Sequence, residues 1–150
     1  LALENWRAGC LQTMIARTDN DGEVTEIEAA AHGRRLQVVV RGAGDSDAAA
    51  RAPDCAWSFA YWNPSLSSQR LLLDPGSGRF TAVSFEPLPE RKIDVDGRPA
   101  PVRGIRLLGT DAPIDLWYYG DRWVGLDTSV GGGRILSYRL NPTAKESSDE

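Results

Sequence analysis

Residues 114–140 read IDLWYYGDRWVGLDTSVGGGRILSYRL, and two breaks organise them. GD at 120–121 and GGG at 131–133 separate runs at 114–119, 122–127 and 134–140 that are strand-length and rich in aromatic and branched residues. Runs of that kind joined by glycine-containing turns read as two β-hairpins. If Gly120 and Asp121 form the loop, Tyr119 opposes Arg122, Tyr118 opposes Trp123 and Trp117 opposes Val124. One face then carries Ile114, Leu116, Tyr118 and Trp123, and the other carries Trp117, Tyr119, Val124 and Leu126. A sheet wet on one side alternates apolar with polar residues, and this hairpin does not. It is expected either to line a groove or cavity on its second face or to be buried on both faces. Trp117 and Tyr119 are the candidate ligand-binding residues of the groove reading.

The rest of the chain has the same grammar. Period-2 runs at 1–8, 11–17, 24–31, 35–41, 70–73, 80–85, 93–94 and 102–108 are punctuated by TDNDG (18–22), HG (32–33), DPGSG (74–78), VDG (95–97) and GTDAP (109–113). These clusters supply proline at a preset φ and glycine or Asx residues where the chain reverses. No window shows helical periodicity. The expected fold is all-β: an antiparallel curved sheet, half-barrel or barrel of about eight or more short strands, with at most one short helix near 48–51 or 64–69. Residues 1–140 form a single antiparallel domain in this reading, and NPTAKESSDE (141–150) is a polar tail. The first residue is Leu1, and LALENW already alternates as a strand does. The chain is therefore expected to be the C-terminal part of a longer protein.

At 150 residues and 41% hydrophobic content the chain can bury a core of ordinary size. Its net charge of −4 and the lack of any Lys and Arg cluster argue against nucleic acid and disfavour anionic membrane surfaces as partners. Its apolar runs, such as VVV (38–40) and LLL (71–73), stop far short of the roughly 20 residues of a membrane-spanning helix.

The motifs of common enzymes are missing. His32 is the only histidine and sits in an HG turn, a poor place for the base of a nucleophilic triad. There is no GxSxG, P-loop or GxGxxG, and GAGDSD (42–47) lacks both their spacing and the lysine. RTDNDGEVTEIE (17–28) approaches a calcium loop through Asp19, Asp21, Gly22 and Glu28, but Arg17 stands where the first carboxylate must bind the ion. It reads as a hairpin turn, as do Asp94 and Asp96 before Gly97. Asp115 and Asp127 could supply paired acids from neighbouring strands, although spacing alone does not set their separation. The expectation is a non-catalytic protein with no cofactor and no metal site.

CAWSFAYWNP (55–64) concentrates a cysteine and four rings in ten residues. Strand alternation would put Cys55, Trp57, Phe59 and Tyr61 on one side and Ala56, Ser58, Ala60 and Trp62 on the other. Core packing explains such a row most simply. In the functional version, Trp57 and Tyr61 line a cavity for an apolar ligand. Cys10 and Cys55, 45 residues apart, cannot form a CxxC metal pair. Spacing leaves two free thiols or one disulfide open.

The strings WRAGCLQTMIARTDNDGE (6–23), CAWSFAYWNPSLSSQRLLLDPGSGRF (55–80) and the closing 114–140 run resemble an exported Gram-negative family, domain of unknown function 6134. The resemblance covers nearly the whole chain in order. It implies a periplasmic protein, a Cys10–Cys55 disulfide and further strands before Leu1, and it brings no activity or site with it. The closing strands are also distantly similar to those of exported lipoprotein-carrier half-barrels. That analogy implies a non-catalytic binding or carrier module for a lipid or other hydrophobic small molecule. Two alternatives stand beside it: an envelope module that binds another protein, and a hydrolase built on carboxylates.

Overall fold

A strand that alternates apolar and polar residues has one face to bury. In the computed structural model, which describes residues 2–42 and 52–140, the strands of the first half do so by meandering. β1 (Ala2–Arg7), β2 (Cys10–Asn20), β3 (Glu23–His32) and β4 (Arg35–Arg41) form a four-stranded antiparallel sheet in chain order. Asn20 pairs with Glu23, which leaves Asp21 and Gly22 as a two-residue loop with φ of 55° and 87°. The Gly22 N–H donates to Asp19 Oδ1 at 2.9 Å, so the carboxylates of TDNDG build the turn itself. In β4 the alternation is complete: Leu36, Val38 and Val40 are buried while Arg35, Gln37, Val39 and Arg41 are exposed. With Leu11, Met14, Ala16, Ile27 and Ala29 they form the core of this unit, joined by Ala52, Ala56 and Leu73.

The run 55–62 is not the strand that its alternation suggests. Cys55 has φ of 53°, in the left-handed region that breaks an extended run. It is bonded to Cys10, with their Cα atoms 4.8 Å apart. From there the backbone is tied to three different neighbours in turn. Cys55 N–H donates to Arg34 O (2.9 Å), Ala56 O accepts from Leu11 N–H (2.9 Å), and Trp57 O accepts from Leu73 N–H (2.8 Å). Such an arrangement satisfies the backbone without a ladder and removes the two-sided logic of a strand. Ala56, Trp57 and Ser58 are consequently buried in succession. Trp57 packs edge-on against Trp6 with ring centroids 5.2 Å apart. β5 (Leu71–Leu73) and β6 (Phe80–Ala82) pair as a small hairpin in the same unit, which comprises Leu1–Phe59 and Arg70–Ala82.

The second unit comprises Ala60–Gln69 and Val83–Glu150. Its five-stranded antiparallel sheet has the order β11-β10-β9-β8-β7. The strands are β7 (Ser84–Val95), β8 (Arg98–Leu108), β9 (Ile114–Tyr119), β10 (Arg122–Ser129) and β11 (Ile135–Arg139). The eleven strands of the described residues lie in three open antiparallel sheets, none of them closed into a barrel. A short 3-10 helix, Pro64–Ser68, starts where Asn63 Oδ1 accepts the Ser65 N–H at 2.9 Å. The other expected helix position, 48–51, and the tail 141–150 lie outside the described residues.

Two further strand readings need correction. The run 80–85 divides between β6 and β7, and β7 continues through Pro87 and Pro89, residues that argue against a strand. β7 is the edge of its sheet, where a proline removes no ladder bond on its open side, and its register shifts between Leu88 and Arg91. The second correction lies in the 114–129 hairpin. Tyr119 pairs with Arg122 and Tyr118 with Trp123 as expected, but a bulge between Trp123 and Gly125 sets Gly125, not Val124, opposite Trp117.

That shift completes a cross-strand row of Leu88, Gly104, Trp117, Gly125 and Arg139. The Trp117 indole lies directly over Gly104, where any Cβ would overlap the ring. Trp117 is buried there with Ile93, Val95, Val102 and Val124, which form one core cluster of this unit.

Two outcomes follow from these contacts. Gly104→Ala forces a methyl group against Trp117 and is expected to cost about 1–3 kcal/mol in urea denaturation, the range for overpacking a core. Opening the 45-residue Cys10–Cys55 loop by double serine substitution is expected to cost about 4 kcal/mol. Calorimetry of the oxidised protein against the double variant measures it, and equal midpoints would refute it.

Candidate functional site

The aromatic residues of the second unit divide into a buried set and a surface set, and Tyr118 joins them. Its ring is fully buried, and its hydroxyl donates to Tyr61 O at 2.7 Å. Burial pushes the phenol up to about 12, and the Arg103 guanidinium, 5.3 Å from the ring centre, pulls the other way. Tyr118 therefore remains a neutral donor, and it anchors the segment that carries Tyr61 and Trp62.

The bulge in β10 orients the next ring. Trp123 Nε1 donates to the Gly125 carbonyl at 2.7 Å, inside the irregular step. On one side Trp123 stacks with Tyr138 (centroids 5.6 Å, 26°), and Tyr61 approaches it at 6.0 Å and 50°. Trp62, Tyr119, Trp123 and Leu140 line an open groove of about 610 Å³, with Asp121 and Arg122 at its rim. Trp62 and Tyr119 are 51% and 46% exposed, so this apolar surface faces solvent. Arg122 is held by Asp96, Nη2 to Oδ2 at 2.8 Å.

Of the four candidate ligand residues, the structure brings two together. Tyr119 lines the groove and Tyr61 supports Trp123 beneath it. Trp117 is buried in the core of the same unit, and Trp57 in the core of the other. Sequence reasoning missed Trp62, Trp123, Tyr138 and Leu140. Strand alternation had put Trp62 on the face away from Tyr61. The available signal was Asn63-Pro64, a helix cap that ends any strand before it and so frees adjacent rings from opposite faces.

The paired acids are also in place, in a different role. Asp115 and Asp127 stand directly opposite each other in β9 and β10. Both are held by arginine. Arg106 grips Asp115 with two bonds of 2.7 and 3.0 Å. Asp127 accepts from Arg139 (2.9 Å), Trp117 Nε1 (3.2 Å) and Arg91 (3.3 Å). Burial alone would raise the Asp127 pKa, but the bonds from Arg139, Ser137 and Trp117 and the Arg139 charge outweigh it and hold the carboxyl below its ordinary value. A glycosidase general acid needs the opposite shift. With Glu86 and Ser137 at its ends, the row Glu86, Arg106, Asp115, Asp127, Ser137 spans all five strands.

A model of the family described as Domain of unknown function (DUF6134) matches residues 2–141. No curated protein and no solved structure matches the chain. No helix among the described residues is long and apolar enough to cross a membrane.

The state of Asp127 has a consequence for stability against pH. Its folded pKa lies below the unfolded value of about 3.9, so between the two the unfolded chain binds more protons. The stabilisation is fully present above the unfolded value and is lost as pH falls through the folded one. Asp127→Asn is therefore expected to be less stable than the parent at pH 6, with the gap closing toward pH 2. Urea midpoints at the two pH values test this, and a gap that is constant or widens in acid would contradict it.

Proposed function

The chain belongs to the family described as Domain of unknown function (DUF6134), and from that premise we propose that it is an exported, periplasmic, non-catalytic binding module for a lipid or other hydrophobic molecule. The observation that carries this reading is the groove of Trp62, Tyr119, Trp123 and Leu140, whose rings present apolar area to solvent instead of to a core. Each such ring can cover about 150–250 Å² of a ligand. The Cys10–Cys55 bond supports export, because disulfides persist in oxidising compartments. The Asp115–Asp127 pair, bound by arginines on both sides, lends nothing to the hydrolase alternative.

A second reading has its own support. The groove is open, and β11 beside it exposes Ile135, Leu136 and Tyr138 on a sheet edge that pairs with no further strand among the described residues. Those features suit an envelope protein as partner.

Fluorescence of N-phenyl-1-naphthylamine separates the two. The module is expected to bind this neutral apolar probe, and Trp62→Ala to weaken binding about tenfold while shifting folding stability by no more than about 0.5 kcal/mol. A parent protein that binds no probe, or a Trp62→Ala variant that binds it unchanged, transfers support to the protein-partner reading.

A further inference from the structure

We infer that the groove selects ligands carrying an organic cation, an alkylammonium group on an apolar body; this deepens the binding reading above and rests on it. The argument is one of charge. Aromatic rings attract cations through their electron-rich π systems, and Trp62, Tyr119 and Trp123 bring three rings to one groove. Two charged residues stand at the rim, and their states differ. Arg122 is neutralised by Asp96 at 2.8 Å. Asp121 is exposed and enters no ion pair among the described residues. The rim therefore carries one uncompensated negative charge beside three rings, within a chain whose net charge is −4. A ligand anion would have to draw Arg122 away from Asp96, whereas a cation meets the Asp121 carboxylate, which has no ion pair among the described residues to give up. Elsewhere in the same unit the pairing of cation and ring is already in use: guanidinium groups lie over Trp117 at 4.9 Å and over Tyr118 at 5.3 Å.

Three ligands with one eight-carbon tail isolate the head group: octyltrimethylammonium, octanol and octanoate, each titrated below micelle formation and followed by tryptophan fluorescence and calorimetry. The parent protein is expected to bind the ammonium about tenfold more tightly than octanoate, with octanol between them. Raising the salt concentration is expected to narrow that ratio. Asp121→Asn keeps a residue suited to the turn and is expected to bring the ammonium and octanoate within about twofold of each other while octanol binding stays unchanged. Equal affinities for the three, a preference for octanoate, or an ammonium preference that survives Asp121→Asn overturns the cation inference and leaves the binding module standing. Failure of all three to bind overturns both.

Discussion

The Cys10–Cys55 bond is the constraint around which the first unit is arranged. A four-stranded meander presents one apolar face and must find a cover for it. The cover includes a stretch of irregular chain, Ala52 to Ser58, in which Ala52, Ala56, Trp57 and Ser58 are buried and their backbone groups are turned from water. Such a stretch is stable only when each amide and carbonyl meets a partner. The bond fixes Cys55 at the β1–β2 turn, in a left-handed conformation that a cysteine does not adopt for its own sake. With that point fixed, Ala56 and Trp57 fall within reach of Leu11 and Leu73, and the segment is held at three places along its length.

In the second unit the organising element is one extra residue. The bulge at Val124 slides the remainder of β10 by one position against β9, which has effects on both faces of the sheet. On one face the shift brings Gly125 opposite Trp117, whose indole already lies against Gly104 on the other side. On the other side of the same step, the Gly125 carbonyl takes the Trp123 N–H and sets that ring against Tyr138. A regular hairpin would have placed Val124 opposite Trp117 and left Trp123 without this acceptor. Bulges beside functional surfaces commonly re-aim a side chain in this way.

How much of this was legible follows from which rules are local. Turn chemistry and period-2 runs located ten of the eleven strands, because both depend on a few adjacent residues. β7 was only partly recovered, since whether Pro87 and Pro89 are tolerable depends on the strand lying at an edge, a fact about the whole sheet. The reading of 55–62 as a strand failed for a related reason: alternation is evidence for a strand only if a partner ladder exists, and here the partners were three separate elements. The aromatic groove was legible in composition and not in membership. Tyr119 and Tyr61 could be named from the pattern, while Trp62 and Leu140 depend on where a helix cap and a strand end bring them.

The two edges of the five-stranded sheet are treated differently, and the difference bears on where function sits. β7 has Pro87, Pro89, Glu86, Glu90, Arg91 and Lys92 together with an irregular register, the devices that keep a sheet edge from pairing. β11, at the other end, reads ILSYR, with exposed Ile135, Leu136 and Tyr138, and its terminal Arg139 is engaged with Asp127. Among the described residues this edge carries none of those devices. It adjoins the groove through Tyr138, whose ring stacks on Trp123. Apolar exposure in this unit is therefore concentrated along β11 and the groove beside it, whereas the β7 edge is guarded, and a surface that binds something is the arrangement in which such an asymmetry has a use.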